Sequence, residues 1–253
     1  MIDAHVHLEK GPLTKEYVQE FVDCALSKGI DTLYIEDHSH RFKEFLPIYE
    51  PYRFLDAQDA WLNARFKSTL NEYLELIDRC RKEDYPIKVL FGIEICYQDC
   101  IKDILKDILK DYRFDFLIGS IHAIDCRIFD CSFSKENLWD VIDIDHIYEA
   151  YFEQEYFLIE SDIFTQIGHP DQIKMMNIYP GFELRDQYVK FAQLAKAHDI
   201  YVENNTGIHY RYHHEDIGLN KEFLTILKKH GCKVITASDA HTPQDVGNDF
   251  QLL

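Results

Sequence analysis

The sequence lacks the features that mark secreted and membrane-spanning proteins. It contains no run of about 18 apolar residues, so we expect no membrane-spanning helix. His5 and Glu9 interrupt the apolar residues that follow Met1, so we expect no signal peptide. The seven cysteines form no Cys-x-x-Cys pair and match no zinc-ribbon spacing. These absences favour a reduced, cytoplasmic protein.

Basic residues are scarce relative to acidic ones. The chain has 27 Lys and Arg against 45 Asp and Glu, which gives a formal net charge of −18. Such a surface repels phosphate backbones, so we expect no nucleic-acid partner. No segment rich in Pro, Gly or Ser divides the chain, and no short repeat is present. We therefore expect residues 1–253 to form a single domain.

Seven apolar segments alternate with patterns of helical periodicity. The expected helices cover residues 18–27, 58–82, 100–110, 146–161, 184–198 and 221–230. The expected strands are continuously apolar and cover residues 2–7, 32–35, 87–94, 116–122, 164–170, 200–205 and 233–241. This order predicts a parallel sheet with helices outside it, and the number of units favours closure into a barrel.

Histidine and carboxylate residues recur at the carboxyl ends of these strands. His5 and His7 are two residues apart, so they point to the same side of a strand, as a pair of metal ligands must. Strand ends converge on one face of a barrel, which predicts a shared metal site. The candidates are His5, His7, His38, Glu94, His122, His169, Asp239 and His241.

Eight ligands exceed what one ion can use, so we expect two or three divalent ions with Glu94 as a bridge. Nitrogen and carboxylate oxygen without thiolate suit zinc, manganese or iron. Alternatives remain open at single positions: His40 is nearly as good a candidate as His38, and each residue also has a structural interpretation as a cap, an ion pair or a core histidine. For His198, His213, His214 and His230 we predict surface positions.

The order of these motifs resembles the polymerase and histidinol phosphatase (PHP) superfamily. The resemblance is carried by the initial His-x-His, the Asp-His after the second strand, Gly-His-Pro at 168–170 and Ser-Asp-Ala-His at 238–241. It covers essentially the whole chain and looks most like the stand-alone histidinol-phosphate phosphatases. It implies an α/β fold, a distorted (β/α)7 barrel, with a three-metal site at the carboxyl ends of its strands.

The resemblance also implies how the ligands are shared between ions. One ion would be held by His5, His7, Glu94 and Asp239, a second by Glu94, His122 and His169, and a third by His38 and His241. Many relatives have a further ligand shortly after the His-x-His motif. In this chain Glu9 is the nearest candidate for that position. Among these residues we expect Glu94, Asp239 and His241 to be catalytic.

We predict a phosphomonoesterase that acts on a small phosphorylated metabolite. Clustered divalent ions neutralise phosphoryl oxygens and activate water for direct attack, without a covalent phosphoenzyme. Arg211 follows an Asn-Asn-Thr-Gly segment and is the best candidate to bind the phosphate, with Arg41 and Arg127 as weaker ones. The resemblance implies L-histidinol phosphate, in histidine biosynthesis, as the substrate. A homo-oligomer is left open.

Other functions compete with this prediction. The substrate could be a different small phosphate ester or a nucleotide. Amidohydrolases also begin with His-x-His, but they require a carboxylated lysine at the position where this chain has Glu94. A metal-binding scaffold without activity is a third alternative, disfavoured because a scaffold needs no open coordination positions.

Overall fold

A computed structural model describes all residues, 1–253. Seven parallel strands form one sheet in the order β1-β2-β3-β4-β7-β8-β9, and a separate antiparallel hairpin consists of β5 and β6. The strands are β1 (Ile2–His7), β2 (Thr32–Glu36), β3 (Lys88–Cys96), β4 (Phe116–Ser120), β5 (Ala123–Ile124), β6 (Arg127–Ile128), β7 (Gln166–Ile167), β8 (Tyr201–Asn205) and β9 (Lys233–Ala237).

The first and last strands bring the sheet close to closure. The amide of His7 donates to the carbonyl of Ala240 over 2.8 Å, and the amide of Ala240 donates to the carbonyl of His5 over 3.3 Å. This contact lies just beyond the end of β9 rather than along a regular ladder. The fold is therefore a nearly closed α/β barrel of seven strands, as the sequence predicted.

Nine α-helices surround the barrel. They are α1 (Lys15–Ser27), α2 (Leu46–Tyr49), α3 (Asp56–Asn63), α4 (Leu70–Cys80), α5 (Lys102–Leu109), α6 (Ile144–Glu160), α7 (Arg185–Ala197), α8 (Gly207–Tyr212) and α9 (Lys221–His230). Local sequence sets their ends: Asn220 caps the first turn of α9, and Gly231 ends it at a φ of +68°. None of the helices combines the length and hydropathy that a membrane crossing requires.

Consecutive strand residues are buried because the barrel interior covers one face and the helices cover the other, which explains why the strands are apolar without alternation. Val6, Ile35 and Ile93 from three neighbouring strands are fully buried. Between α7 and α9, the rings of Tyr188 and Phe223 stack at a centroid distance of 4.4 Å. This packing holds the strands rigidly, so the side chains at their carboxyl ends have defined positions.

The prediction of one long helix over residues 58–82 is wrong. The structure has two helices, α3 and α4, separated by a segment in which Phe66 adopts a φ of +54°. The second helix starts at a capping box, in which the Thr69 side chain accepts from the Glu72 amide and the Glu72 side chain accepts from the Thr69 amide. The Thr-x-x-Glu pattern that marks this start is present in the sequence.

Other boundaries differ from those predicted. Strand β3 continues to Cys96, so Glu94 lies inside it rather than at its end. Strand β7 is only two residues long, and His169 follows it in irregular backbone with a φ of +28°. Residues 123–145, which lie outside every predicted helix and strand, contain the β5–β6 hairpin, and helix α8 was not predicted.

Candidate metal centre

A cavity of about 240 Å³ opens at the carboxyl ends of the barrel strands. Eight of the ten predicted site residues line it: Glu9, His38, Glu94, His122, His169, Arg211, Asp239 and His241. The other two, His5 and His7, are fully buried, and both lie close to Asp239. The barrel thus brings together residues that are up to 236 positions apart in the sequence (from 5 to 241).

The deepest group of donors consists of His5, His7 and Asp239. Both histidines project from β1 on the same side because they are two residues apart. Their Nε2 atoms are 2.9 Å apart, and His7 Nε2 is 3.1 Å from Asp239 Oδ1. His5 Nε2 is 3.6 Å from the same carboxylate oxygen. Three donor atoms, two on β1 and one just beyond β9, therefore lie within 3.6 Å of one another.

Glu94 occupies the centre of the site. Its Oε1 atom is 3.2 Å from His122 Nε2 and 3.1 Å from His169 Nε2. Its Oε2 atom is 2.5 Å from His38 Nδ1. Oε1 is also 3.7 Å from His5 Nε2 in the deep group. One carboxylate therefore contacts four histidines that lie on β1 or just after β2, β4 and β7, which is the arrangement of a bridging ligand.

A third group surrounds Glu9. Its two carboxylate oxygens are 3.7 Å from His38 Nε2 and 3.6 Å from His241 Nε2. The ring of His38 also stacks on that of His7 at 4.0 Å. Glu9, the nearest candidate for a further ligand after the His-x-His motif, therefore lies close to both His38 and His241.

His40, which the sequence left as an alternative to His38, also lies beside this group. Its ring is 4.6 Å from that of His38, and its Nδ1 atom has no hydrogen-bond partner. His40 Nδ1 or Nε2 can share an ion with Glu9 and His38. Only His38 of the two contacts Glu94.

The donor groups fit divalent metal ions. Bonds of about 2.0–2.2 Å to nitrogen and oxygen place two donors of one ion roughly 3–4 Å apart. Apart from the 2.5 Å hydrogen bond between His38 and Glu94, the donor separations given above run from 2.9 to 3.7 Å. The donors are imidazole and carboxylate without thiolate, which suits zinc, manganese and iron alike.

The charges of these groups also suit cations. Burial raises the pKa of Glu94, but His38 and His122 outweigh it and hold that pKa well below its usual range. Burial is likewise outweighed at Asp239, where Arg211 and His241 keep the pKa low. Both carboxylates are therefore ionised at neutral pH and available as ligands.

The pKa values of His7, His38 and His241 are shifted in different directions. Burial lowers the pKa of His7 well below 6.5 and that of His241 to about 4, so both imidazoles are neutral. At His38 burial acts in the same direction, but the adjacent Glu94 raises the pKa to about 9. An ion that binds His38 therefore has to displace a proton.

Two carboxylates that the sequence analysis missed orient the predicted ligands. Glu203, fully buried on β8, accepts a hydrogen bond from His5 Nδ1 over 2.7 Å. Asp130, beyond the β5–β6 hairpin, does the same for His122 Nδ1 over 2.7 Å. Each contact leaves the Nε2 atom of its histidine directed at the donor cluster. Glu203 is the only charged residue of the predicted strand 200–205, which is a signal in the sequence; Asp130 has none.

Glu36, at the end of β2, is a third carboxylate that was missed. Its Oε1 atom is 2.9 Å from His5 Nε2, and the residue is fully buried. Burial raises the pKa of Glu36 to about 8, although His5 acts in the opposite direction. Its position before Asp37-His38 at the end of a strand could have drawn attention to it.

Of the predicted phosphate-binding arginines, only Arg211 lines the cavity. Its guanidinium pairs with Asp239 and lies 2.7 Å from His241 Nδ1. Arg41 is tied to Asp37 and to two backbone carbonyls, and Arg127 donates to the carbonyl of Asn137. The two weaker candidates therefore have structural contacts outside the cavity.

Arg65 is a cationic cavity residue that the sequence analysis did not single out. Its guanidinium lies 4.3 Å above the ring of Trp61, which also lines the cavity. It makes no ion pair, and its buried Nε atom has no hydrogen-bond partner. A guanidinium held in this way is available for an anionic ligand.

The remaining histidine predictions are correct only in part. His198 and His230 are partly exposed, and His213 is exposed, but His214 is buried. Its Nδ1 atom accepts from the amide of Asp216, and its Nε2 atom is 3.3 Å from the Tyr179 hydroxyl. No lysine lines the cavity, so the bridging lysine of an amidohydrolase has no counterpart there.

Comparison with known proteins agrees with this geometry. The family model of the PHP domain matches residues 3–207. A protein assigned as the histidinol phosphatase HisK of Listeria monocytogenes is similar in structure, with a TM-score of 0.82 and 20% identity over 100% of this chain and 99% of that chain. Histidinol phosphate phosphatase from Lactococcus lactis, complexed with zinc, L-histidinol and phosphate, superposes with a TM-score of 0.68 and 16% identity over 96% of this chain and 86% of that chain. Among curated protein sequences, none matches this chain significantly.

Proposed function

This chain belongs to the PHP domain family, and on that basis we propose that it is a metal-dependent phosphomonoesterase that hydrolyses L-histidinol phosphate to L-histidinol and phosphate. The observation that carries the proposal is the set of contacts around Glu94. A single ionised carboxylate within 3.7 Å of four histidines is suited to join adjacent cations. Such clusters favour phosphoryl transfer because the reacting phosphate has several charged oxygens.

We assign the ligands by the three donor groups. His5, His7, Glu94 and Asp239 would hold one ion, Glu94, His122 and His169 a second, and Glu9, His38 and His241 a third. When bound, divalent ions supply charge neutralisation for the phosphoryl oxygens and a water nucleophile that is deprotonated near neutral pH.

Arg211 would contribute a guanidinium to the phosphate. In the structure it contacts Asp239 and His241, so it lies next to two of the groups that would face the phosphoryl oxygens. A planar fork of N–H donors can bind two phosphate oxygens at once, which fixes the orientation of the ester. Arg65 lies on the same cavity and is available to contact the phosphate as it enters.

The side chains around the cavity support direct attack by water. Two thiols line it, but burial raises the pKa of Cys131 to about 12 and also raises that of Cys96. Both thiols are therefore protonated and poor nucleophiles. The Ser39 hydroxyl is bonded to the Tyr49 hydroxyl at 2.7 Å. We expect no phosphoenzyme to accumulate.

We propose L-histidinol phosphate as the substrate because the similar protein from Lactococcus lactis was solved with L-histidinol and phosphate bound. The cavity of this chain is small and has aromatic walls, which include Tyr49, Trp61 and Tyr212. Flat aromatic surfaces suit the imidazole ring of histidinol. The amino group would find a carboxylate at the same cavity in Asp130, which is in none of the assigned ligand groups.

Phosphate release from a panel of esters tests the proposal. The protein is loaded with manganese or zinc and given L-histidinol phosphate, a generic phosphomonoester, a mononucleotide and a cyclic phosphodiester. We expect a clear preference for L-histidinol phosphate. Equal weak rates on all esters, or activity on the diester alone, would refute this substrate while leaving a phosphoesterase.

A variant that lacks the central carboxylate controls for contaminating phosphatases. Glu94→Ala removes the carboxylate shared by the donor groups, so we expect it to lose at least two ions and all turnover. Metal content is measured on the same preparation. Full metal content in Glu94→Ala would refute the bridging role.

A further inference from the structure

Glu36 is a buried carboxylate for which the assigned ligand groups leave no role. It ends β2 and is paired in register with His7 on β1. The residue has no exposed surface, and neither of its carboxylate oxygens accepts a hydrogen bond from any donor. Its nearest polar neighbour is His5, whose Nε2 atom is 2.9 Å from Glu36 Oε1.

The tautomer of His5 limits what Glu36 can do. The Nδ1 atom of His5 is bonded to Glu203 at 2.7 Å, so in a neutral imidazole the proton sits on Nδ1 and the lone pair on Nε2. An Nε2 atom that binds a metal ion cannot also donate a hydrogen bond to Glu36. In the metal-loaded protein Glu36 therefore has no hydrogen-bond donor to satisfy it.

Two states of Glu36 are compatible with this constraint. It is either a neutral acid without a partner, or an ionised ligand of the ion that His5 and His7 hold. An unpaired charge at this depth is excluded by its desolvation cost. Glu36, His5 and His7 offer three donor atoms that all lie within 4.8 Å of one another, which is the spacing of ligands to one ion.

We propose that Glu36 is a direct ligand of the deepest ion, together with His5, His7 and Asp239. The inference rests on the proposed function only in requiring that the chain holds divalent ions. Glu36 does not line the cavity, whereas Asp239 does, so Glu36 approaches this ion from the buried side.

This assignment gives the deepest ion a different character from the others. With Glu36, Glu94 and Asp239 it has three carboxylate ligands against two imidazoles, a set that favours manganese or iron over softer ions. The added ligand also fills a coordination position on the buried side. The ions that face the cavity keep the positions that a phosphate and a water need.

Glu36→Gln separates the two states of Glu36. Glutamine has the shape of a neutral glutamic acid, so the change is nearly silent if Glu36 is a neutral bystander. If Glu36 is a ligand, the variant should bind one ion at least about 100-fold more weakly, since even the loss of an outer contact costs 10–100-fold in metal affinity. The readout is bound manganese, measured by mass spectrometry after equilibration against a graded chelator.

Glu155→Gln is the matched control. Glu155 on α6 is also fully buried, and its two oxygens also lack hydrogen-bond partners, but it lies outside the donor groups. We expect it to retain all ions at wild-type affinity. Circular dichroism of both variants shows whether each is folded.

A second measurement uses cobalt as a spectroscopic probe. Loss of a ligand should change the visible absorption of the cobalt-loaded protein in Glu36→Gln and leave it unchanged in Glu155→Gln. Equal manganese affinity and equal cobalt spectra in Glu36→Gln and wild type would overturn the assignment. Because neither readout is catalytic, a wild type that binds metal but hydrolyses no ester would refute the proposed function and still test Glu36.

Discussion

The contacts of Glu203 allow a quantitative prediction for Glu203→Gln. This residue is fully buried and accepts four hydrogen bonds. Oε1 accepts from His5 Nδ1 and from Gln166 Nε2, each over 2.7 Å. Oε2 accepts from the His169 amide over 3.0 Å and from Asn205 Nδ2 over 2.7 Å. All four partners are donors, so only a carboxylate satisfies them.

The cost of the substitution follows from this count. A glutamine amide has one oxygen, and in either orientation its NH₂ group would face two donors. Two buried donors then lose their acceptor, at about 1–3 kcal/mol each, so the free energy of unfolding should fall by about 2–6 kcal/mol. For a chain of this size the melting temperature should fall on the order of 10 °C. Freed from Glu203, His5 should also bind its ion about 10–100-fold more weakly.

Urea denaturation of the metal-free protein measures the first effect, and metal content at a fixed chelator concentration measures the second. Glu155→Gln is again the matched control because Glu155 is equally buried but neither of its carboxylate oxygens has a hydrogen-bond partner. It should not show either loss. A Glu203→Gln protein as stable and as rich in metal as wild type would refute the reasoning.

Three further predictions concern other parts of the molecule. Arg211→Ala should raise the KM for the phosphate ester roughly 10- to 100-fold while metal content is retained, because a charge-assisted contact is lost; an unchanged KM would remove Arg211 from the phosphate site. Asp130→Ala should weaken the binding of one ion about 10–100-fold because His122 loses the hydrogen bond that orients it, and calorimetry showing wild-type affinity would contradict this. Burial raises the pKa of Glu155 well above 4.5, so the folded protein keeps a proton that the unfolded chain loses as pH rises. Glu155→Gln should therefore gain stability over wild type at pH 8 but not at pH 4, and an equal difference at both pH values in urea titrations of the metal-free protein would refute this.

The location of the candidate metal ligands could be predicted from the sequence because strand geometry is local. Alternation of side chains along an extended strand places His5 and His7 together, and parallel strands bring their carboxyl ends to one face. These rules do not need exact boundaries. Glu94 lies inside β3 and His122 lies beyond β4, yet both reach the cluster.

Helix boundaries were less well predicted where turn signals were overlooked. The start of α4 at Thr69 is a local capping box that the sequence contains. The apolar periodicity over 58–82 concealed it, because a short break between two amphipathic helices preserves most of the pattern. Helix α8 is only six residues long, too short for periodicity to reveal it.

The contacts between the ligands and their supporting residues depended on the tertiary structure. Sequence alone determined a seven-strand α/β pattern, an acidic chain and a set of candidate metal ligands at or near the strand ends. It did not determine that Glu203 holds His5 across 198 positions, or that Glu36 lies buried without a donor beside the same ring. Such partners are selected by the closure of the barrel, which sets the separation of side chains that no local rule relates.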